Sequence, residues 1–188
     1  NAGLQIGLTD AEATGALLCL DVTEAILDEA IALGYNLVIS HHPLIFKGYK
    51  SITGKDYVER CILKAIKNDI VIYSAHTNLD NAYGGVNYKI AEKIGLKNLQ
   101  VLEPKENSLQ DDLTQVGAGI VGELDEPETE LEFLKRIKKT FEVGCVRHNR
   151  LTGREIQKVA LCGGAGAFLL PQAIRAGADV FITGEIKY

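Results

Sequence analysis

Apolar runs alternate with amphipathic segments along the chain, and this alternation predicts strands and helices in turn. Three apolar runs predict buried strands: "ALLCLD", "NLVIS" and "IVIYSAH". Three segments with apolar residues at steps of three and four predict helices: "TEAILDEAIALG", "DYVERCILKAIKND" and "VNYKIAEKIG". Thr23 is the expected N-cap of the first helix, and Gly34 and Gly95 are expected to end the first and the third.

The same alternation returns in the second half of the chain, after a polar interval. The segment from about residue 96 to residue 115 is polar and contains Pro104, which predicts a linker or crossover. Beyond it, the pattern predicts a strand at "VGAGIVGEL", a helix over "ETELEFLKRIKKTF" and a short strand at "GCVRH". Strands mixed with helices at this spacing indicate a layered α/β fold with a largely parallel sheet.

An internal similarity relates the two halves of the chain. A shift of 143 positions lays residues 17–40 on residues 160–183 without a gap. Any two strand-helix-strand units share apolar spacing, so a chance similarity and a true repeat both stay open. In a true repeat, Glu185 takes the place of His42, and both halves present polar residues at corresponding strand ends, where open α/β sheets bind ligands.

Composition and charge narrow the function classes. A chain of 188 residues with 46% apolar and 24% charged residues fits one large or two small globular domains. The formal net charge of -5 argues against a nucleic-acid-binding surface, and no apolar run approaches the ~18 residues of a membrane span. The four cysteines have no CxxC spacing and predict reduced residues in a cytoplasmic protein.

Two of the four histidines, His41 and His42, stand side by side where a predicted strand ends. Pro43 ends ladder pairing there, so both imidazoles can turn toward one pocket or serve two neighbouring ions. His76 and Asp80 leave the next strong strand in the same way. A lone histidine at a strand end is usually structural, but this combination favours ligands for Zn, Fe, Ni or Mn. The sequence therefore predicts a metal site of His41, His42 and Asp80, with His76 as a further ligand or a ligand's partner.

At these residues the chain resembles the proteins named GTP cyclohydrolase 1 type 2, also called NIF-three-like or dinuclear-metal-centre proteins. The matching motifs span nearly the whole chain, in order: "NAGLQIG", "SHHPLIFKG", "SAHTNLDNAYGGVN" and "CGGAGAFLLPQAIRAGADVFITGEIKY". The resemblance implies two related layered α/β domains with mixed or largely parallel sheets, which we place at residues 1–112 and 113–188. It also implies a ring-shaped homohexamer with a two-metal site that faces the interior.

The same resemblance assigns roles to single residues. His41 and His42 match the family's histidine doublet, and Asp80 matches its aspartate ligand. The family's remaining ligands are a His and a Glu in a later "GHxxTE"-like segment, and this chain ends before it. We therefore expect the second domain to be truncated and metal to be held incompletely by these residues alone. Because the chain opens on Asn1 rather than methionine and stops at Tyr188, directly after a predicted strand, we expect both natural termini to be missing.

Three functions are compatible with such a site. In a metal-dependent hydrolase, two divalent metal ions would lower the pKa of bound water toward ~7, and His76 would act as a catalytic proton shuttle or orient Asp80. The resemblance implies GTP as the small-molecule substrate, opened at its imidazole ring with release of formate. The alternatives are a non-enzymatic metal-binding or scaffold protein and a two-metal phosphoesterase. We expect neither nucleic acid nor a membrane as a partner.

Other segments carry weaker signals for ligand binding. "CGGAGAF" and Gly84-Gly85 each open a helix, and each fits either a tight turn or a phosphate contact. "RHNR", residues 147–150, fits either a triphosphate grip or a solvated basic loop. Glu185 either orients a ligand at the pocket or caps the "GEIKY" turn.

Overall fold

Two mixed four-stranded sheets organise the residues that the computed structural model describes, 2–105 and 116–186. Backbone contacts divide the chain into two units, Asn1–Asn78 and Leu79–Tyr188, and each unit contains one of the sheets. The predicted α/β class is confirmed, with mixed sheets in both units. The predicted domain boundary between residues 112 and 113 lies outside the described residues and stays a prediction.

The first unit is built on a mostly parallel sheet. Its strands are β1 (Gly3–Ile6), β2 (Ala16–Cys19), β3 (Leu37–Ser40) and β4 (Val71–Ser74). Its two long helices are α1 (Glu24–Leu33) and α2 (Tyr57–Lys67). The strand order is β1-β4-β3-β2, in which only β1 runs antiparallel to its neighbour. The three strands and two helices predicted for this region are confirmed, as is the Thr23 N-cap, whose hydroxyl accepts the Ile26 N–H at 3.3 Å.

The second unit combines an antiparallel part with one parallel pair. Its strands are β5 (Lys97–Pro104), β6 (Gly117–Thr129), β7 (Glu155–Ala165) and β8 (Val180–Glu185), in that spatial order. The remaining α-helices are α3 (Thr77–Asp80), α4 (Val86–Ile94), α5 (Glu130–Thr140) and α6 (Leu170–Arg175). Only β7 and β8 are parallel. None of the helices in the described part of the chain is both long and apolar enough to cross a membrane.

Three sequence predictions are wrong. Residues 97–104 form β5 instead of a linker, because an edge strand of an antiparallel sheet can be polar on one face and can end at Pro104. Thr77–Asp80 forms a short helix, although the segment "TNLDNAYGG" between the strand "IVIYSAH" and the helix "VNYKIAEKIG" predicts a loop. Residues 144–148 form no strand, since Val146 alone is turned toward the core and the segment has no ladder partner among the described residues.

The internal similarity extends to the backbone register. Four residue pairs of the β2–β3 ladder recur 143 positions later in the β7–β8 ladder. Ala16–Leu37 corresponds to Val159–Val180, Leu17–Val38 to Ala160–Phe181, Leu18–Ile39 to Leu161–Ile182, and Cys19–Ser40 to Cys162–Thr183. A shared apolar spacing does not by itself fix the register of two separate ladders. The match favours a true structural repeat.

The ends of the repeated elements match as well. Gly34, the C-cap of α1, and Gly177, which follows the C-cap Ala176 of α6, are both in the left-handed region, at φ of 70° and 69°. Beyond the helices, Ser40 donates a hydrogen bond to the His42 carbonyl at 2.9 Å, whereas the Thr183 hydroxyl donates to the Gly164 carbonyl at 2.9 Å and lies 3.4 Å from the Glu185 carbonyl. The repeat thus includes the glycine that follows each helix and a hydroxyl residue at matching positions of β3 and β8.

Glu59 on α2 is fully buried and fixes the irregular segment that follows the histidine doublet. Its Oε2 accepts hydrogen bonds from the Thr53 N–H at 2.8 Å, the Thr53 hydroxyl at 3.0 Å and the Lys55 N–H at 3.1 Å. The Lys55 ammonium lies 3.4 Å from Oε1. The hydrogen bond from the Thr53 N–H is the largest of the causes that lower the pKa of Glu59 to about 2, against the opposing effect of burial.

The Glu59 carboxylate is expected to make part of the protein's stability depend on pH in the acid range. Because the pKa of Glu59 is lower in the folded than in the unfolded chain, its stabilising contribution is present above pH ~4.5 and is lost as the pH falls toward 2. We expect the difference in unfolding free energy between the wild type and Glu59→Gln to shrink across that window in urea titrations. Glu92→Gln, which removes an exposed surface pair with Lys89, is the matched control and should show little effect. If the difference in unfolding free energy between the wild type and Glu59→Gln stays constant from pH 5 to pH 2, this assignment is contradicted.

Candidate metal site

The carboxyl ends of β3 and β4 lie next to each other, because the two strands are parallel and Ser40 pairs with Ser74. The two serine hydroxyls are 3.0 Å apart and buried. His41 and His42 follow directly after Ser40, and His76 comes two residues after Ser74. The predicted convergence of these three histidines at one edge of the sheet is therefore seen in the first unit.

The three imidazoles form a cluster. The ring centroids of His41 and His42 are 4.9 Å apart, those of His41 and His76 are 5.2 Å apart, and those of His42 and His76 are 6.1 Å apart. Across residues 2–105 and 116–186, no group of three His, Cys, Asp or Glu side chains stands in an arrangement that could hold a metal ion. The histidines are thus gathered at one place without forming a coordination sphere by themselves.

Hydrogen bonds orient two of the rings. His41 Nδ1 donates to the Ala75 carbonyl at 3.0 Å, and His42 Nδ1 donates to Asp21 Oδ1 at 2.9 Å. The partner of each ring nitrogen is an acceptor, so the proton is on Nδ1, and Nε2 is the nitrogen suited to ligate a metal. Metal-binding histidines usually donate their other N–H to a carbonyl or carboxylate in this way. In residue type and tautomer, the two histidines therefore suit a divalent cation that prefers imidazole.

Asp21 is a site residue that the sequence interpretation missed. It lies two residues beyond β2, which is the parallel neighbour of β3, so its carboxylate reaches the histidine doublet from the next strand end. The backbone supports this position, because the N–H groups of His41 and His42 donate to the carbonyls of Cys19 and Leu20 at 3.1 and 2.9 Å. The available signal was the aspartate that closes the strand "ALLCLD".

Asp80 is the last residue of α3, which begins directly after His76, and it belongs to the second unit. Within that unit its charge raises the pKa of the Cys162 thiol, after the larger effect of burial. The Asp80 carboxylate thus contributes to the electrostatic environment of β7, which contains Cys162. Its predicted role as a metal ligand, like those of His41 and His42 and the catalytic role of His76, stays a prediction.

The two glycine-rich segments have structural explanations. In "CGGAGAF", the Gly163 N–H donates to Asn87 Oδ1 and the Gly166 N–H to Thr183 Oγ1, each at 2.8 Å, so two donors that a phosphate would need are engaged. At Gly85, an added Cβ would lie 2.0 Å from the Leu79 carbonyl oxygen. Both observations favour tight turns over anion contacts.

The remaining two candidates lie on the surface of the second unit. Residues 147–150 are all exposed, and the His148 ring interacts with the carbonyl of its neighbour Asn149. Glu185 is exposed at the end of β8, in the place that His42 holds in the first unit. The binding roles of these residues stay predictions.

Comparisons with known proteins agree over the whole chain. The family model described as Duf34/NIF3 (NGG1p interacting factor 3) matches residues 1–188. A Lactococcus lactis protein named GTP cyclohydrolase 1 type 2 homolog is 36% identical over 192 residues, which cover 99% of this chain and 69% of the relative. A Clostridium perfringens protein of the same name is 35% identical over 100% of this chain and 70% of its own length. The crystal structure of a Bacillus cereus protein related to NIF3 superposes with a TM-score of 0.86 at 30% identity, covering 100% of this chain and 77% of that one.

Proposed function

Because the chain belongs to the Duf34/NIF3 family, we propose that it is a metal-dependent hydrolase of a small nucleotide, with His41, His42 and Asp80 as metal ligands. The observation that supports the proposal most directly is the orientation of the two adjacent imidazoles. Their Nδ1 atoms donate to the Ala75 carbonyl and to Asp21, and metal-binding histidines usually anchor their non-ligating nitrogen on a carbonyl or carboxylate in this way.

Each residue of the proposed site has a separate role in the proposed reaction. His41 and His42 hold two divalent ions, which we propose to be Zn, Fe, Mn or Ni, and Asp80 adds the negative charge that such ions favour. When bound, the ions would lower the pKa of water, so that hydroxide is available at neutral pH. His76, with its ring centroid 5.2 Å from that of His41, accepts a proton from the attacking water or orients a ligand. Asp21 keeps the His42 proton on Nδ1 throughout.

The substrate part of the proposal rests on the relatives. Proteins named GTP cyclohydrolase 1 type 2 homolog are similar to this chain over nearly all of its length. We therefore propose GTP as the substrate, hydrolysed at the imidazole ring of the base with release of formate. The homohexameric ring implied by the same resemblance is part of this proposal.

Turnover of GTP by the full-length, metal-loaded protein tests the proposal. We expect formate and a pterin product from the wild type, and a loss of at least about 100-fold in rate for His41→Ala and for Asp80→Ala, because each removes a ligand. Formate is measured with a coupled dehydrogenase assay and the pterin by fluorescence. Turnover that survives both substitutions would contradict the hydrolase proposal.

A second function is favoured by the name of the matching family model, which describes an interacting factor. In a metal-binding scaffold, the same histidines would hold ions without any turnover. The GTP assay separates the two: metal bound at His41 and His42 with no formate from the wild type supports the scaffold. Release of inorganic phosphate instead of formate would support the phosphoesterase.

A further inference from the structure

Residues 41–56 connect β3 to α2 and contain neither a helix nor a strand. Connections of this length without regular structure are uncommon in compact domains, and they are usually either functional or disordered. This connection begins with the histidine doublet at the carboxyl end of β3, and open α/β sheets bind ligands at such ends. Its middle part, residues 46–52, is exposed at every residue, and we call it the exposed segment.

Both ends of the exposed segment are fixed within the first unit. Before it, the Leu44 side chain is 6% exposed and belongs to the buried core, and the Ile45 N–H donates to Gln5 Oε1 at 3.1 Å. After it, the N–H and the hydroxyl of Thr53 donate to the fully buried carboxylate of Glu59. A buried carboxylate is costly unless hydrogen bonds compensate it. These anchors favour a functional connection over a disordered one.

The exposed segment presents aromatic rings and positive charges. Phe46 is 62% exposed and Tyr49 is 37% exposed, and each is followed directly in the sequence by a lysine, Lys47 or Lys50. Neither lysine forms an ion pair with another residue of the described ranges. Residues 41–55 include no Asp or Glu, although the whole chain has a formal net charge of -5. The segment is therefore a local concentration of ring faces and positive charge.

This combination matches the two chemically different ends of a nucleotide. An aromatic ring stacks on the face of a base, and a lysine ammonium group forms charge-assisted hydrogen bonds with phosphate oxygens. The Cα atoms of His42 and Phe46 are at most about 14 Å apart, because four residues of chain extend no further. The ring of Phe46 is therefore held in the neighbourhood of the histidine doublet.

We propose that the exposed segment recognises the nucleotide substrate, with Phe46 stacked on the guanine base and with Lys47 and Lys50 in contact with the triphosphate. This inference deepens the proposed function and rests on it for the choice of a guanine nucleotide. The ring contributes affinity for the base and the lysines contribute affinity for the phosphates. Loss of the ring and loss of the lysines should therefore affect different parts of the ligand.

Isothermal titration calorimetry on the full-length, metal-loaded protein tests the two contacts separately. The probes are 7-deaza-GTP, in which a carbon atom replaces a nitrogen of the imidazole ring so that this ring is not hydrolysed, and its nucleoside, 7-deazaguanosine. We expect Phe46→Ala to weaken the binding of both probes about 10–100-fold. The double variant Lys47→Ala/Lys50→Ala should weaken the binding of 7-deaza-GTP by about 10-fold or more and leave that of 7-deazaguanosine unchanged.

Matched controls remove the same side chains elsewhere. Phe168→Ala removes a ring that is 60% exposed, and Lys67→Ala removes an exposed lysine at the end of α2, so both variants should bind the two probes as the wild type does. At position 46, Phe46→Tyr keeps a ring face and should keep the affinity. Phe46→Leu keeps an apolar side chain without the ring face and should lose affinity as Phe46→Ala does. Circular dichroism checks the fold of each variant.

The outcomes of the titrations separate this inference from the proposed function. If Phe46→Ala and the double lysine variant both bind 7-deaza-GTP within about twofold of the wild type, the recognition role is refuted and the proposed hydrolase is not. If these variants lose affinity as expected but the wild type releases no formate from GTP, the recognition role is supported and the hydrolase is refuted. A wild type that binds neither probe would refute both.

Two further results would assign the exposed segment to another partner and overturn the inference. In the first, Phe46→Ala changes the oligomeric state in light scattering and binds 7-deaza-GTP as the wild type does, which would place the segment in a contact between copies of the chain. In the second, the wild type binds a single-stranded RNA oligonucleotide more tightly than 7-deaza-GTP, which would make RNA the ligand of the ring and the lysines.

Discussion

Replacing His42 by alanine is expected to lower the affinity of the full-length protein for Zn²⁺ by more than about 100-fold, because it removes a proposed ligand together with the hydrogen bond that orients it. The imidazole is accessible, with 54% of its side chain exposed, and it belongs to none of the three buried hydrophobic clusters in the described part of the chain. The metal-free variant should therefore fold normally. Chelator competition on the metal-loaded protein measures the affinity, and circular dichroism in EDTA checks the fold.

Substitutions of Asp21, the hydrogen-bond partner of His42, are expected to weaken Zn²⁺ binding to different degrees. Asp21→Ala is expected to weaken Zn²⁺ binding about 10–100-fold, the usual cost of removing a carboxylate that orients a metal-bound histidine. Asp21→Asn should weaken Zn²⁺ binding less than Asp21→Ala does, since an amide oxygen still accepts the Nδ1–H of His42 but carries no negative charge.

His148→Ala is the matched control, because this fourth histidine is exposed in the second unit and belongs to no strand end. It should bind Zn²⁺ as the wild type does. Equal losses in His42→Ala and His148→Ala would mean that the measured ions bind to surface histidines in general. Unchanged affinity in His42→Ala would remove the histidine doublet from the site.

The sequence was sufficient to predict the histidine cluster for a local reason. An apolar run that ends in two histidines and a proline marks where a strand must stop, and parallel neighbours bring their carboxyl ends together. Asp21 could not be found in the same way, because its role depends on which strand lies beside β3 and in what register. The apolar pattern predicts that a strand exists but not its neighbours.

The positions that the sequence interpretation missed share a dependence on distant contacts. Asn87 bonds to Gly163, 76 residues away, and nothing in its own helix signals the partner. β5 is polar because it is an edge strand, and only its antiparallel pairing with β6 makes it regular. Periodicity detects elements with one apolar face, so polar edges and single buried amides escape it.

The structural repeat places different residues at corresponding ends of β3 and β8. The two strand-helix-strand units keep the same ladder register, and in both the last of the four matched pairs contains a hydroxyl residue, Ser40 or Thr183. Two positions later stand His42 in the first unit and Glu185 in the second. The shared register is therefore independent of the side chains that follow it.

Replacing Phe133 by alanine is expected to lower the free energy of unfolding by about 3–5 kcal/mol, the usual cost of a cavity left by a buried phenyl ring. Phe133 lies on α5, is 2% exposed and is the largest of the fully buried side chains in the described part of the chain. It packs into the second unit's core with residues of the helix α4 and the strand β7, among them Ile94 and Leu161. The ring thus joins two helices to the sheet, and its loss cannot be repaired by a local shift of one element.

Phe168→Ala is the matched control, because it removes the same ring at a position that is 60% exposed in the same unit. We expect its effect to stay within about 0.5 kcal/mol. Urea unfolding, followed by far-UV circular dichroism on both variants, measures the difference. Equal losses would mean that α5 does not close over the sheet in solution as described. A large loss confined to Phe133→Ala would locate the second unit's stability in the contact between α5 and the sheet.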